Sequence, residues 1–216
     1  MKRLGLLFPL LMTFAFANSQ DTVFYKRYSI GAFSEIGLNQ PIRLTRKYVT
    51  EDIGPFHGKQ SVSMGLTFSK KITQILRLEI GTGYSIHKCG FELSPPIYPE
   101  SKIYPETIKT FTLFVSVYKY FRRNYYLNFG TGVDFEVPRK SYWIDSQNGF
   151  GFNLSGGKEF VVRDSEINLS PNLEIHSVLP FHTVKGQQRM IVFGLKAGLR
   201  FYSNRAIEEG DIITKD

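Results

Sequence analysis

Two groups of residues in this chain have the types and spacing to do chemistry. The first is Glu174-Ile175-His176-Ser177, which places a carboxylate, an imidazole and a hydroxyl side by side. An imidazole that takes a proton from serine makes a nucleophile, the arrangement used in acyl transfer. Neighbouring residues of a strand point to opposite faces, however, so His176 and Ser177 are not expected to share a proton. The second group is a scattered set of charges: Arg27, Glu35, Arg77, Glu79, Asp134, Glu136, Glu174, Lys196 and Arg200. Charges held out of water must pair, because one left alone is costly. Arg77, Glu79, Asp134, Glu136, Glu174, Lys196 and Arg200 are therefore expected to form one ion-pair network. The competing reading is a pore that selects ions by these charges.

Other chemistry finds less support. His57, His87, His176 and His182 show no HxH or HxxxH spacing. The single cysteine, Cys89, allows neither an intramolecular disulfide nor a cysteine-rich metal site. No cofactor, no metal and no catalytic residue is expected. The formal charge is +8, but no basic helix or nucleic-acid motif accompanies it, so nucleic acid is not an expected partner. Anionic lipid headgroups and lipopolysaccharide phosphates fit the charge better.

The elements that carry these residues alternate strictly. In Met190 to Tyr202, Ile191, Phe193, Leu195, Ala197, Leu199 and Phe201 fall on one face. Val192, Gly194, Lys196, Gly198, Arg200 and Tyr202 fall on the other. The charged and glycine-rich face suits a narrow polar interior, so the apolar face is expected to meet lipid. The same pattern marks eight candidate strands near 23–38, 60–69, 75–91, 108–121, 124–137, 149–162, 166–179 and 190–202. Connections of a few residues alternate with long ones at 40–58, 93–107, 138–148 and 180–189. Membrane barrels alternate short periplasmic turns with longer extracellular loops in this way. The reading is an all-β, eight-stranded, antiparallel, up-and-down transmembrane β-barrel. A soluble lipocalin-like barrel with the faces reversed is the alternative.

Several details test that reading. Prolines 95, 96, 99, 105, 138 and 180 are expected outside the strands, because proline cannot donate to a ladder. Pro171 conflicts with strand seven. Lys158 points outward unless Gly156-Gly157 forms a bulge that re-aims it. If strands seven and eight turn near 184–185, Glu174 and Lys196 share a height. Tyr25, Tyr28, Phe68, Tyr118, Tyr120, Phe121, Tyr125, Tyr126, Phe201 and Tyr202 gather near the short-turn rim as an aromatic girdle.

Residues 1–20 read as a secretory signal peptide: Lys2 and Arg3, an apolar run from Leu4 to Ala17, then small residues at the expected cut. Residues 21–203 form the barrel and 204–216 a periplasmic tail. The leader, the pairs Gly81/Gly83, Gly130/Gly132 and Gly149/Gly151, and the closing F-G-L-K-A-G-L-R-F-Y resemble the small outer-membrane β-barrels of Gram-negative bacteria. They look most like the porin-family or PorT-like barrels of Bacteroidota. That resemblance implies location in the outer membrane with both termini periplasmic, insertion by the barrel-assembly machinery, and no catalytic residue. A structural, binding or secretion-accessory role would then fall to the extracellular loops, with Tyr98, Tyr104, Tyr142 and Trp143 as contact candidates for a protein or surface ligand. A lipid-modifying enzyme of the lipid A deacylase type is the other functional alternative.

Overall fold

A computed structural model describes residues 28–43, 53–93, 102–137, 146–162, 165–181 and 188–202. Eight strands follow one another: β1 Tyr28–Arg43, β2 Ile53–Lys71, β3 Leu76–Leu93, β4 Lys102–Tyr120, β5 Tyr125–Glu136, β6 Gly149–Val162, β7 Ser165–Pro180 and β8 Gln188–Tyr202. Each pairs antiparallel with its sequence neighbours, and β1 pairs with β8 to close the ring. The fold is thus the expected eight-stranded up-and-down barrel. No helix among the described residues is long and apolar enough to cross a membrane.

The register fixes the stagger. Paired residues lead from Ser29 through Ser69, Glu79, Ser116 and Gly130. They continue through Asn153, Glu174 and Val192 to Asn39, ten residues further along β1. A ring with that stagger closes only if its strands tilt, by about 35–45° in known barrels. At the seam, a Cβ on Gly37 would collide with the Phe193 carbonyl oxygen. Glycine is required there because the β1 and β8 backbones approach so closely.

Burial reverses the soluble arrangement. Ile30, Leu38, Leu66, Phe129, Leu154 and Phe193 are at least half exposed, while Arg77, Glu79, Asn128 and Asp134 are almost wholly buried. The apolar faces point out and the polar faces in, which excludes the lipocalin-like alternative with its apolar cavity.

Several boundaries differ from expectation. Strand β1 ends five residues later than expected, and residues 23–27 of the expected strand lie outside the described residues. Strands β2 and β4 reach back to Ile53 and Lys102, so Tyr104 and Pro105 lie in a strand rather than a loop. Pro105 pairs with Gly90 beside the mouth. Pro180 is the last residue of β7. Pro171 sits inside β7 in register with Leu195, but the β6–β7 ladder skips Gly156 and Gly157 opposite Pro171 and Ser170. The missing donor therefore falls where the ladder is already interrupted.

No register shift occurs at Gly156-Gly157, and Lys158 does face outward, with its ammonium over the Tyr125 and Phe160 rings. The irregularity lies instead between Phe150 and Phe152, where β7 carries the extra residues and Ser177 adopts φ 53°. The expected girdle divides. Tyr28, Phe68, Phe121, Tyr125 and Phe201 are exposed, whereas Tyr118, Tyr120 and Tyr126 are buried against one another inside. The leader, the tail, Tyr25, Arg27, Tyr98, Tyr142, Trp143 and His182 lie outside the described residues.

Candidate functional site in the barrel lumen

The inward side chains form three levels, and the expected single network is divided among them. Nearest the short turns is a cluster of five charges. Arg77 from β3 reaches Glu159 of β6 at 2.7 Å and Glu166 of β7 at 2.6 Å. Arg200 from β8 donates twice to Glu79 Oε2, from Nε at 3.0 Å and Nη2 at 2.8 Å, and once to Glu159 at 3.0 Å. Tyr118 donates to the other Glu79 oxygen at 2.8 Å, and Tyr120 donates to Glu159 at 3.3 Å. The Arg77 guanidinium lies over the Tyr120 ring, and that of Arg200 over the Tyr118 ring. The Arg77–Glu159, Arg77–Glu166 and Arg200–Glu79 bonds join strands at least three apart in the ring, and Arg77, Glu79, Glu159, Glu166 and Arg200 are all at most 3 % exposed. Arginine suits the task because its planar fork holds several partners at once.

The middle level holds Asp134, Glu174, Glu35 and Lys196. His176 contacts Asp134 through Nδ1 at 3.1 Å and Glu174 through Nε2 at 3.5 Å. Thr112 donates to Asp134 at 2.6 Å. One amide nitrogen of Asn172 bonds Glu35 at 2.7 Å and Glu174 at 3.1 Å. The ring of His87 sits 4.9 Å from that of His176, and its Nδ1 bonds the Ser61 hydroxyl at 2.8 Å. Lys196 makes no ion pair within 4 Å among the described residues. Its ammonium lies 4.1 Å from the centre of the Phe33 ring and 5.4 Å from that of Phe114. A cavity of about 40 Å³ separates these groups, enough for a few waters. Buried oxygens of Ser63 and Asn153 line it without a protein partner.

Two expectations are corrected here. Glu174 pairs in the ladder with Val192, whereas Lys196 pairs with Ser170 and, across the seam, with Glu35. The β7–β8 ladder runs in one register from Ser165–Phe201 to Ile175–Ile191, so Glu174 and Lys196 are not level. The irregularity in β7 opposite Phe150–Phe152 turns both His176 and Ser177 inward, against simple alternation. They still do not form a proton-sharing pair. Both His176 nitrogens face carboxylates, and the Ser177 hydroxyl donates to the Asn148 carbonyl at 3.1 Å.

The third level lies toward the long loops. Gln147 is buried there. Its amide nitrogen donates to Glu136 at 3.0 Å, and its side-chain oxygen accepts from Met190 N at 3.2 Å. Glu136 thus anchors the segment Ser146–Asn148. Below it, Cys89, Ile108, Met190 and Val192 pack as an apolar layer. Tyr104, expected as a loop contact, stacks on buried Phe91 at 5.5 Å. His57 pairs with Glu92 at 3.3 Å and stands apart from His87 and His176. No group of three ligating side chains suited to a metal occurs among the described residues.

Glu159 and Glu166 are the principal residues that the sequence reading missed. Their signal was present: Glu159 follows Ser155 and Gly157 on the inward face of β6, and Glu166 precedes Asn168 on that of β7. The apolar end Phe160-Val161-Val162 obscured the alternation in β6, and Glu166 stands at the very start of β7.

No protein-family model and no curated protein matches the chain. Solved structures do. The chain is similar to the outer membrane protein AlkL determined in lipid bilayers, at 10% identity and TM-score 0.52, covering 88% of this chain and 97% of AlkL. OprG from Pseudomonas aeruginosa aligns at 11% identity and TM-score 0.43 over 82% of this chain and 96% of its own. Ail of Yersinia pestis aligns at 14% identity and TM-score 0.40 over 82% of this chain and all of its own. The alignment with AlkL and the closed ring of eight antiparallel strands agree: the fold is that of a small outer-membrane β-barrel.

Proposed function

We propose that the chain is an integral outer-membrane barrel whose lumen is closed by its own side chains, so that it acts through its outer loops and not as a channel. The carrying observation is the five-charge cluster of Arg77, Glu79, Glu159, Glu166 and Arg200 inside a ring whose outer face is apolar. Strand ends have polar partners within a closed ladder, which lipid demands of any spanning segment. An eight-stranded lumen is just wide enough to be filled by side chains, and the Gln147 level adds a second barrier toward the loops. A binding or secretion-accessory role would fall to Tyr98, Tyr142 and Trp143, and the PorT-like resemblance of the closing strand fits such a role. The protein is non-catalytic on this reading, because the Glu174, His176 and Ser177 group is tied up internally. Lipopolysaccharide and the barrel-assembly machinery are its expected partners.

The test is electrophoretic and electrical. Protein from the outer-membrane fraction should migrate differently when unboiled, and protein inserted in planar bilayers should show no conductance steps. Absence of a heat-dependent shift in a soluble protein would refute the membrane reading. Regular conductance steps would refute closure of the lumen.

A further inference from the structure

The outer surface at the short-turn rim carries a group of cations that the lumen does not use. Lys119 of β4, Arg122 and Arg123 of the 3-10 turn Arg122–Asn124, and Lys158 of β6 lie around Tyr125, which pairs with Lys158. The turn packs against β6. Lys119, Arg122 and Arg123 are exposed and Lys158 is half-buried. No carboxylate lies within 4 Å of any of the four among the described residues. The nearest acid in sequence, Glu159, points inward, where it holds Arg77 and Arg200.

The shape at this place is also particular. Gly156 faces outward level with Lys119 and Leu127, and Pro171 faces outward in the neighbouring strand. Neither has a long side chain of its own, and the Leu127 side chain lies over Gly156 beside Lys158. Its ammonium is held 5.4 Å from the centre of the Tyr125 ring and 5.1 Å from that of Phe160. Those contacts steady the cation but leave its charge uncompensated. A charged side chain on the lipid face is tolerated where it reaches the headgroup level.

We propose that this rim is a binding site for an anionic phospholipid of the leaflet at the short-turn end. The phosphate would sit among Lys119, Arg122, Arg123 and Lys158, the glycerol against Tyr125, and one acyl chain over the exposed Leu127 and Pro171. A phosphate supplies the counter-charge that no side chain provides, and it accepts hydrogen bonds from both arginines at once. Lipopolysaccharide is the wrong occupant on this reading because the long loops, not the short turns, face the outer leaflet. The inference rests on the membrane reading above.

Native mass spectrometry of the full barrel, released from vesicles of equal phosphatidylglycerol and phosphatidylcholine, tests it. Phosphatidylglycerol should be retained in preference. Neutralising any one of the cations, as in Lys158→Gln or Arg122→Gln, should weaken retention about fivefold, the effect of one basic residue near a charged surface. The quadruple variant K119Q/R122Q/R123Q/K158Q should retain the two lipids equally while keeping its heat-dependent gel shift. Equal retention by the wild-type barrel would overturn the site alone, as would unchanged preference in the quadruple variant. A protein that fails to insert into the vesicles at all would overturn the membrane reading and the site with it.

Discussion

Replacing Arg200 with alanine lowers the stability of the folded barrel by about 3–5 kcal/mol, the cost of leaving buried partners of an ion pair uncompensated. Arg200 is 3 % exposed and holds Glu79 through two hydrogen bonds and Glu159 through one. Without it, Glu79 keeps the Tyr118 hydroxyl, Glu159 keeps Arg77 and the Tyr120 hydroxyl, and Arg77 is left as the one cation for Glu159 and Glu166 in this cluster. The measurement is the urea midpoint at which the heat-dependent gel shift disappears, with protein refolded into vesicles. The double variant Arg200→Met with Glu79→Gln should recover part of the loss, because it removes a charge from each side of the pair. A loss below about 1 kcal/mol, the scale of an exposed salt bridge, would show that water already solvates this level and would count against a closed lumen.

The second large effect is on the outer face. Val115 lies outward in the middle of β4, between Ile80 of β3 and Thr131 of β5. Val115→Arg should destabilise the inserted barrel by about 2–4 kcal/mol, whereas Phe121→Arg, at the rim, should cost about 0–1 kcal/mol. The difference is one of depth: at the rim a guanidinium reaches headgroups and water, and at the middle it does not. Equal effects at the two positions, measured by the same urea titration in vesicles, would remove the lipid belt from this face. In a soluble barrel both substitutions would be near neutral, because both side chains would already meet water.

These two substitutions draw on information of different kinds. The outward position of Val115 is legible in Phe111, Leu113, Val115 and Val117 at alternate positions, since a pleated strand separates its faces with period two. The partners of Arg200 are not legible. Glu79 and Glu159 stand on two other strands, and which inward residues meet depends on stagger and tilt, which no single strand encodes. The expected pairing of Glu174 with Lys196 failed for this reason. The β7–β8 register sets Glu174 opposite Val192, and two further residues in β7 opposite Phe150–Phe152 bring His176 and Ser177 to the same side. A bulge is a compromise between neighbouring ladders, and Ser177 carries no glycine-like signal to announce its positive φ.

By itself, then, the sequence determined the number of strands, their order and the face each presents to its surroundings. Those follow from local alternation and from the strict exchange of short and long connections. It also determined that charges occupy the interior, because they share a face with glycine, serine and asparagine. The tertiary structure alone decided how those charges divide. Arg77 and Arg200 gather three glutamates among buried tyrosines, Asp134 and Glu174 flank His176, Glu136 anchors Gln147, and Lys196 rests on aromatic rings. The physical reason is that the ring closes ten residues out of step. Residues meeting across the lumen are therefore set by a sum of registers around all eight strands, and a shift in one ladder changes every contact that spans it.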